Sequence, residues 1–159
     1  MLIRDANDSD WARIWPFWRQ IVEAGETYGW DPQTPEPQAR TLWMGPGRRV
    51  YVAELDGVVV GSAYVKPNYG GPAASIANAG FMVDPAHAGR GIGRALAEYV
   101  LERAKADGYR AMVFNAVVET NPAVRLWTSL GFTILGTVPD AFDHPRHGRV
   151  GLHIMYRSL

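Results

Sequence analysis

Gly89-Arg90-Gly91-Ile92-Gly93-Arg94 interleaves glycines with two guanidinium groups. Residues of these types can hold a phosphate. Glycine adopts positive φ freely and lets the backbone approach a ligand closely. The apolar run Phe81-Met82-Val83 precedes the glycines, and Ile92, Leu96, Val100 and Ala104 follow at helical spacing. The stretch therefore reads as strand, glycine-rich turn, helix. The first N–H groups of a helix lack internal partners and lie at the positive end of its dipole. They make an anion cradle to which Arg90 and Arg94 add charge.

Three phosphate ligands compete for this cradle. A Walker loop requires Gly-Lys-Ser/Thr, and the sequence has Gly93-Arg94-Ala95. A dinucleotide fingerprint requires a small third residue, where Arg94 or Leu96 falls. The diphosphate of coenzyme A is the third. An ordinary helix N-terminus with loop glycines is the alternative without a ligand.

Two amides stand where strands should be apolar. Asn78 lies in the strand before the glycines, and Asn115 ends the strand after the helix. A buried amide without partners costs about 1–3 kcal/mol. Both could satisfy backbone groups left by diverging strands, or both could grip a carboxylate or carbonyl of a substrate. They are the candidate catalytic positions. Histidines 87, 144, 147 and 153 accompany no cysteine and no paired carboxylates, so no metal site is expected.

The elements that must position these residues follow in order. Leu2-Ile3-Arg4 is a short strand. Asn7 to Asp10 offers helix caps before Trp11, Ile14, Trp15, Trp18, Ile21 and Val22, which share one helical face up to Gly25. Pro16 should kink or split that helix. Glu26, Thr27 and Tyr28 occupy the next turn and are candidate substrate contacts or a plain capped loop. Glu36 to Met44 is a second helix. Arg49 to Glu54 and Val58 to Lys66 form a hairpin about Asp56-Gly57, with a bulge expected at Gly61. The fourth strand spans Ala73 to Val83, where Gly80 implies a bulge or a close backbone approach. The long helix stops at Asp107-Gly108, and Ala111 to Asn115 is a strand parallel to the fourth. Asn121 caps a last helix that ends at Gly131. Strands Phe132–Val138 and Val150–Tyr156 close the chain around a polar loop, Pro139 to Arg149. The order β-α-α-β-β-β-α-β-α-β-β describes one mixed α/β domain over residues 1–159.

The chain carries 16 basic and 16 acidic residues among 159, with 47% hydrophobic. It is long enough for one sizeable core. Zero net charge argues against a nucleic-acid partner. The absence of cysteine excludes thiol catalysis and disulfides. MLIRDANDSDW holds no apolar signal core and no apolar run is long enough to span a bilayer, so a soluble cytoplasmic protein with no membrane partner is expected.

The run Val83 to Leu96 resembles the acetyl-CoA signature of the GNAT acetyltransferase superfamily, Gln/Arg-x-x-Gly-x-Gly/Ala, with Gly91 and Gly93 in place and Ala88 where Gln or Arg is usual. Asn121 to Phe132 resembles the superfamily's second motif, Asn-x-x-Ala-x-x-Leu-Tyr-x-x-x-Gly-Phe, with Trp127 at the tyrosine. The resemblance covers nearly the whole chain. It implies a mostly antiparallel sheet whose parallel fourth and fifth strands splay apart, flanked by helices. It implies acetyl-CoA held by Phe81, Met82 and Val83, by Ala88 to Ala95, by Asn121 and by Trp127. An oxyanion donor is expected at the N–H of Val83 or a neighbour. Asn78, Asn115 and Asn121 are further similar to N-acetyltransferases of proline analogues and to phosphinothricin-type enzymes. There Asn78 and Asn115 would bind the acceptor's carboxylate. The resemblance implies transfer to the amine of a small molecule such as an amino acid, with a homodimer as the assembly. A non-catalytic acyl-CoA-binding module and a peptide N-terminal acetyltransferase are the alternatives. The base stays open among Glu26, Glu119 and a water on Asn78.

Overall fold

A computed structural model describes residues 1–159. The strands are β1 (Leu2–Asp5), β2 (Arg49–Leu55), β3 (Val58–Pro67), β4 (Ile76–Val83), β5 (Ala111–Val118), β6 (Thr133–His144) and β7 (Gly148–Ser158). The helices are α1 (Trp11–Ala24), α2 (Glu36–Met44), α3 (Ile92–Ala106) and α4 (Ala123–Ser129). One seven-stranded sheet has the order β1-β2-β3-β4-β5-β7-β6. Every neighbour is antiparallel except β4 and β5, which α3 joins as a crossover. These two strands pair only at Ile76 with Ala111 and Ala77 with Met112, then diverge. The element order and the splayed parallel pair match the expectation.

Each face of the sheet carries its own core. On one side, α3 lays Ile92, Leu96, Val100 and Ala104 against Val60, Ala63, Ala77 and Met112. On the other, Ile14, Phe17, Trp18 and Val22 of α1 and Trp43 of α2 pack on Val52, Tyr64 and Met82. Alternation along a strand sorts the sides of β4. Ala77, Ala79, Phe81 and Val83 belong to the α3 side, and Met82 to the α1–α2 side.

Helix α1 is entered through a turn at Asp8–Asp10. The Asn7 side chain accepts from Ser9 N–H, and the Asp10 carboxylate accepts from Asn7 N–H at 2.8 Å. Arg4 clamps the same buried carboxylate with contacts of 2.8 and 2.9 Å. Pro16 lies inside α1 and does not split it. Proline removes one helix hydrogen bond, while the tryptophan-rich stripe stays seated on the sheet on both sides of it.

Three boundaries differ from the reading of the sequence. Strand β4 begins at Ile76, because Gly71–Ala73 forms a short 3-10 turn. Strand β5 runs on to Val118, past an irregularity in which Asn115 and Ala116 face one partner residue, Ile154. The polar segment Pro139 to Arg149 is a β-hairpin arm instead of a loop, with a second irregularity between Val138 and Phe142. Proline 139 falls in that irregularity, where no ladder bond is required of it. The bulge expected at Gly61 falls beside it: Ala53 faces Gly61 and Glu54 faces Val59, leaving Val60 extra. At Gly80 the register is regular and the close approach holds, since a Cβ there would lie 2.5 Å from the Tyr64 ring.

Candidate active site

The divergence of β4 from β5 opens a cleft of about 1030 Å³ through the middle of the sheet. In an antiparallel pair, backbone groups point alternately toward and away from the neighbour. Asp84 N–H bonds Val60 on β3, so the even residues face β3 and Met82 keeps its backbone bonds there. The groups of Ala79, Phe81 and Val83 point into the gap. Phe81 shows this directly. Its N–H donates to the Tyr28 hydroxyl at 3.0 Å, and that hydroxyl donates to the Phe81 carbonyl at 2.8 Å. Burial pushes the Tyr28 phenol's pKa upward, so it stays protonated at any working pH.

Where β4 and β5 part, Asn78 substitutes for the lost ladder. Its Nδ2 donates to the Val113 carbonyl at 3.0 Å, and the residue is buried. One amide hydrogen and the side-chain oxygen remain unpaired. Asn115, exposed by the β5 irregularity, forms a reciprocal amide pair with Asn68, at 2.8 and 3.0 Å. Each asparagine thus satisfies local structure and still lines the cleft.

At the other end, α3 opens with Gly91 in the left-handed conformation, φ 76°. Its first internal bond runs from Ala95 N–H to the Gly91 carbonyl. The N–H groups of Gly91, Ile92, Gly93 and Arg94 are therefore free for an anion. Gly89 is also left-handed and Arg90 is exposed. Arg94 bonds Ser129 Oγ at 2.7 Å, and His87 lies 3.3 Å from the Asp84 carboxylate. Ala88 and Gly93 line the cleft, whereas the Ile92 side chain is part of the core. Asn121 accepts from Ala123 N–H through its oxygen, leaving its amide for the cleft. Trp127 packs on Phe81, Phe114 and Phe132 at ring distances of 4.9, 4.8 and 5.9 Å. It forms a wall.

The turn after α1 lines one side of the cleft, and the tip of the β6–β7 arm braces it. Glu26, Thr27 and Tyr28 all line the cleft. Glu26 pairs with Arg146 at 3.2 Å, tying the two elements together. Glu119 does not reach the cleft; its carboxylate accepts from Gly151 N–H at 2.6 Å. His144 is buried and its Nδ1 accepts from Arg146 and His147 N–H, so it shapes the hairpin tip. Arg48, Tyr64, Lys66 and Trp30 are among the cleft residues that lie outside the motifs. The one available signal was a lysine two residues beyond Tyr64 in a strand, on the same face.

Residues 15–132 match the acetyltransferase (GNAT) family. The chain belongs to the GNAT acetyltransferase family. It is 45% identical over 137 residues to the N-acetyltransferase aca1 of Schizosaccharomyces pombe, covering 76% of this chain and 66% of that protein. It is 30% identical over 146 residues to the L-methionine sulfoximine/L-methionine sulfone acetyltransferase of Salmonella typhimurium, covering 88% and 84%. A GCN5-related N-acetyltransferase from Kribbella flavida shares the fold with a TM-score of 0.95 and 55% identity, covering 99% and 97% of the two chains. This GNAT chain is an acetyl-CoA-dependent N-acetyltransferase, and its cleft fits the cofactor on its own chemistry. A helix N-terminus with free N–H groups suits a diphosphate. An open strand edge suits the amides of a pantetheine arm.

Proposed function

We propose that this chain acetylates the amine of an amino acid or an amino-acid analogue. The observation that carries the reading is the continuity of the cleft. It joins the open edge of β4 to two amides, Asn78 on β4 and Asn115 across the gap on β5. Amino-acid analogues as acceptors are also named for the Salmonella relative.

The N–H groups of Gly91 to Arg94, with Arg90 beside them, hold the diphosphate. The edge at Ala79, Phe81 and Val83 takes the pantetheine amides, and the Asn121 amide adds a donor. Acetyl-CoA supplies an acetyl group activated as a thioester. Phe81 N–H, within the cleft, is the oxyanion donor for that carbonyl, in place of Val83. Asn78 and Asn115 each have an amide hydrogen left for the acceptor's carboxylate. The unpaired oxygen of Asn78 can receive an N–H of the amine, and Glu26 is the cleft carboxylate able to take its proton through a water. Trp127 donates no proton, and a thiolate leaves without a dedicated acid.

Thiol release from acetyl-CoA, measured against a panel of amino acids, tests this reading. Cofactor binding without turnover on any amine would favour a binding module instead. We place the enzyme in the cytoplasm, consistent with the lack of any helix long and apolar enough to cross a membrane. A homodimer through edge strand β6, which exposes Ile134, Leu135 and Val138, is the assembly we propose; sedimentation velocity tests it.

A further inference from the structure

Arg48 and Lys66 stand on the acceptor side of the cleft without a counter-charge. Neither takes part in any ion pair of the chain. The Arg48 guanidinium lies over the Tyr64 ring, 5.5 Å from its centroid. Its Nε is buried with no hydrogen-bond partner, and its one bond, from Nη1 to the Pro46 carbonyl, is long at 3.5 Å. A buried guanidinium nitrogen left unpaired is costly. The Lys66 ammonium makes no hydrogen bond to the protein, and the residue is half-buried. Burial and the nearby Arg48 charge both lower its pKa, as expected of a cation that lacks an anion.

Strand register puts Lys66 beside Asn78, and Arg48 lies over the neighbouring Tyr64. Lys66 is the cross-strand partner of Asn78, and Tyr64 that of Gly80, all on the α1–α2 face. Directly opposed side chains start about 4.5–5.5 Å apart. One carboxylate can therefore meet the free amide hydrogen of Asn78 and the Lys66 ammonium together. The other cleft charge named above, Glu26, is held by Arg146 and does not neutralise them.

We propose that Arg48 and Lys66 form an anion subsite that selects acceptors bearing a carboxylate beside the amine, an inference that rests on the acetyltransferase reading above. The asparagine amides alone do not make that selection. An amide N–H bonds the oxygen of a carboxamide as well as that of a carboxylate, whereas a cation strengthens only the latter. The subsite is thus the part of the cleft that distinguishes an amino acid from its amide or from the N-terminus of a peptide.

The test uses the full-length protein with acetyl-CoA and matched pairs of probes, each L-amino acid and its primary amide. Thiol release gives kcat and KM for each. The amide's amine is the less basic of the pair, so without an anion subsite the amides should react at least as well. The expected result is an acid-to-amide ratio of kcat/KM of about tenfold or more. Arg48→Gln and Lys66→Gln should each collapse that ratio toward one, through KM for the acid and not through kcat. Arg48→Lys and Lys66→Arg should restore part of it. Calorimetry with acetyl-CoA shows whether each variant is folded and loaded. Amides accepted as readily as acids by the unaltered enzyme, or a ratio retained in both glutamine variants, would overturn the subsite and leave the acetyltransferase reading standing. No thiol release with any amine, in protein that binds acetyl-CoA, would remove both.

Discussion

The Tyr28 hydroxyl sits on both backbone groups of Phe81, accepting from its N–H at 3.0 Å and donating to its carbonyl at 2.8 Å. These groups belong to the edge that should receive the cofactor. With Phe81 N–H as the proposed oxyanion donor, the phenol is a resident competitor that should give up at least that N–H for transfer to occur.

Tyr28→Phe keeps the ring, which stacks on Trp30 at 4.9 Å, and removes only the hydroxyl. Acetyl-CoA should bind as well or more tightly, by up to about tenfold, the size of one hydrogen bond. Titration calorimetry reads this. A weakened affinity would mean that the hydroxyl holds the cofactor directly.

Asn115→Ala should raise KM for a carboxylate-bearing acceptor while leaving the acetyl-CoA Kd largely unchanged. Asn68→Ala frees the Asn115 amide from its reciprocal pair and should raise the same KM by a smaller factor. Steady-state kinetics with each substrate varied in turn separates the two constants. Equal loss for cofactor and acceptor would contradict the assignment.

Gly80→Ala should lower stability by about 1–3 kcal/mol through overpacking. The added methyl would meet Cε1, Cζ and Cδ1 of Tyr64 at 2.5, 2.9 and 3.2 Å. Denaturant melts of Gly80→Ala, Tyr64→Leu and the double variant form a cycle. Full additivity would show that the ring is not the obstacle.

Gly91 and Gly93 should fail in different ways. Gly91 is left-handed at the start of α3, so Gly91→Ala costs about 1–2 kcal/mol of stability. A Cβ on Gly93 would meet Val83 and Leu126 at ordinary contact distances, 3.7 and 3.8 Å. Gly93→Ala should therefore melt normally and still bind acetyl-CoA more weakly, because its methyl lies at the cleft. Thermal melts with and without cofactor distinguish the two.

Alkali should unfold the protein from about pH 10 upward. Burial raises the phenol pKa values of Tyr28 and Tyr64, and pushes Tyr51 up to about 12. The unfolded chain loses these protons near the ordinary phenol value of 10.0 while the folded chain still holds them. The folded state then binds more protons, so stability is complete below pH 10 and falls as pH rises toward 12. Denaturant midpoints across that range measure it; a flat profile would contradict the burial of these phenols.

What the sequence disclosed depended on whether one residue type answers to one local constraint. The glycines from 89 to 93 were legible because left-handed backbone and close approach leave few substitutes. The stripe of Trp11, Ile14, Trp18 and Val22 was legible because a single apolar face has a period. The arm from Pro139 to Arg149 was not, since it projects largely beyond the core and carries no alternation to read. Arg48 and Lys66 belong to separate elements, and only the register of β3 on β4 brings Lys66 beside Asn78. Asn115 looked like the end of a strand, when it marks an irregularity that continues to Val118.

The gap between β4 and β5 leaves the sheet unfinished at its centre, where most sheets are most rigid. A bound pantetheine would act as a short eighth strand, and loading would then tighten the middle of the molecule and not only its surface. Amide hydrogens of Phe81 and Val83 should exchange with deuterium markedly more slowly in the loaded protein, while those of the distant β1–β2 pair keep their rates.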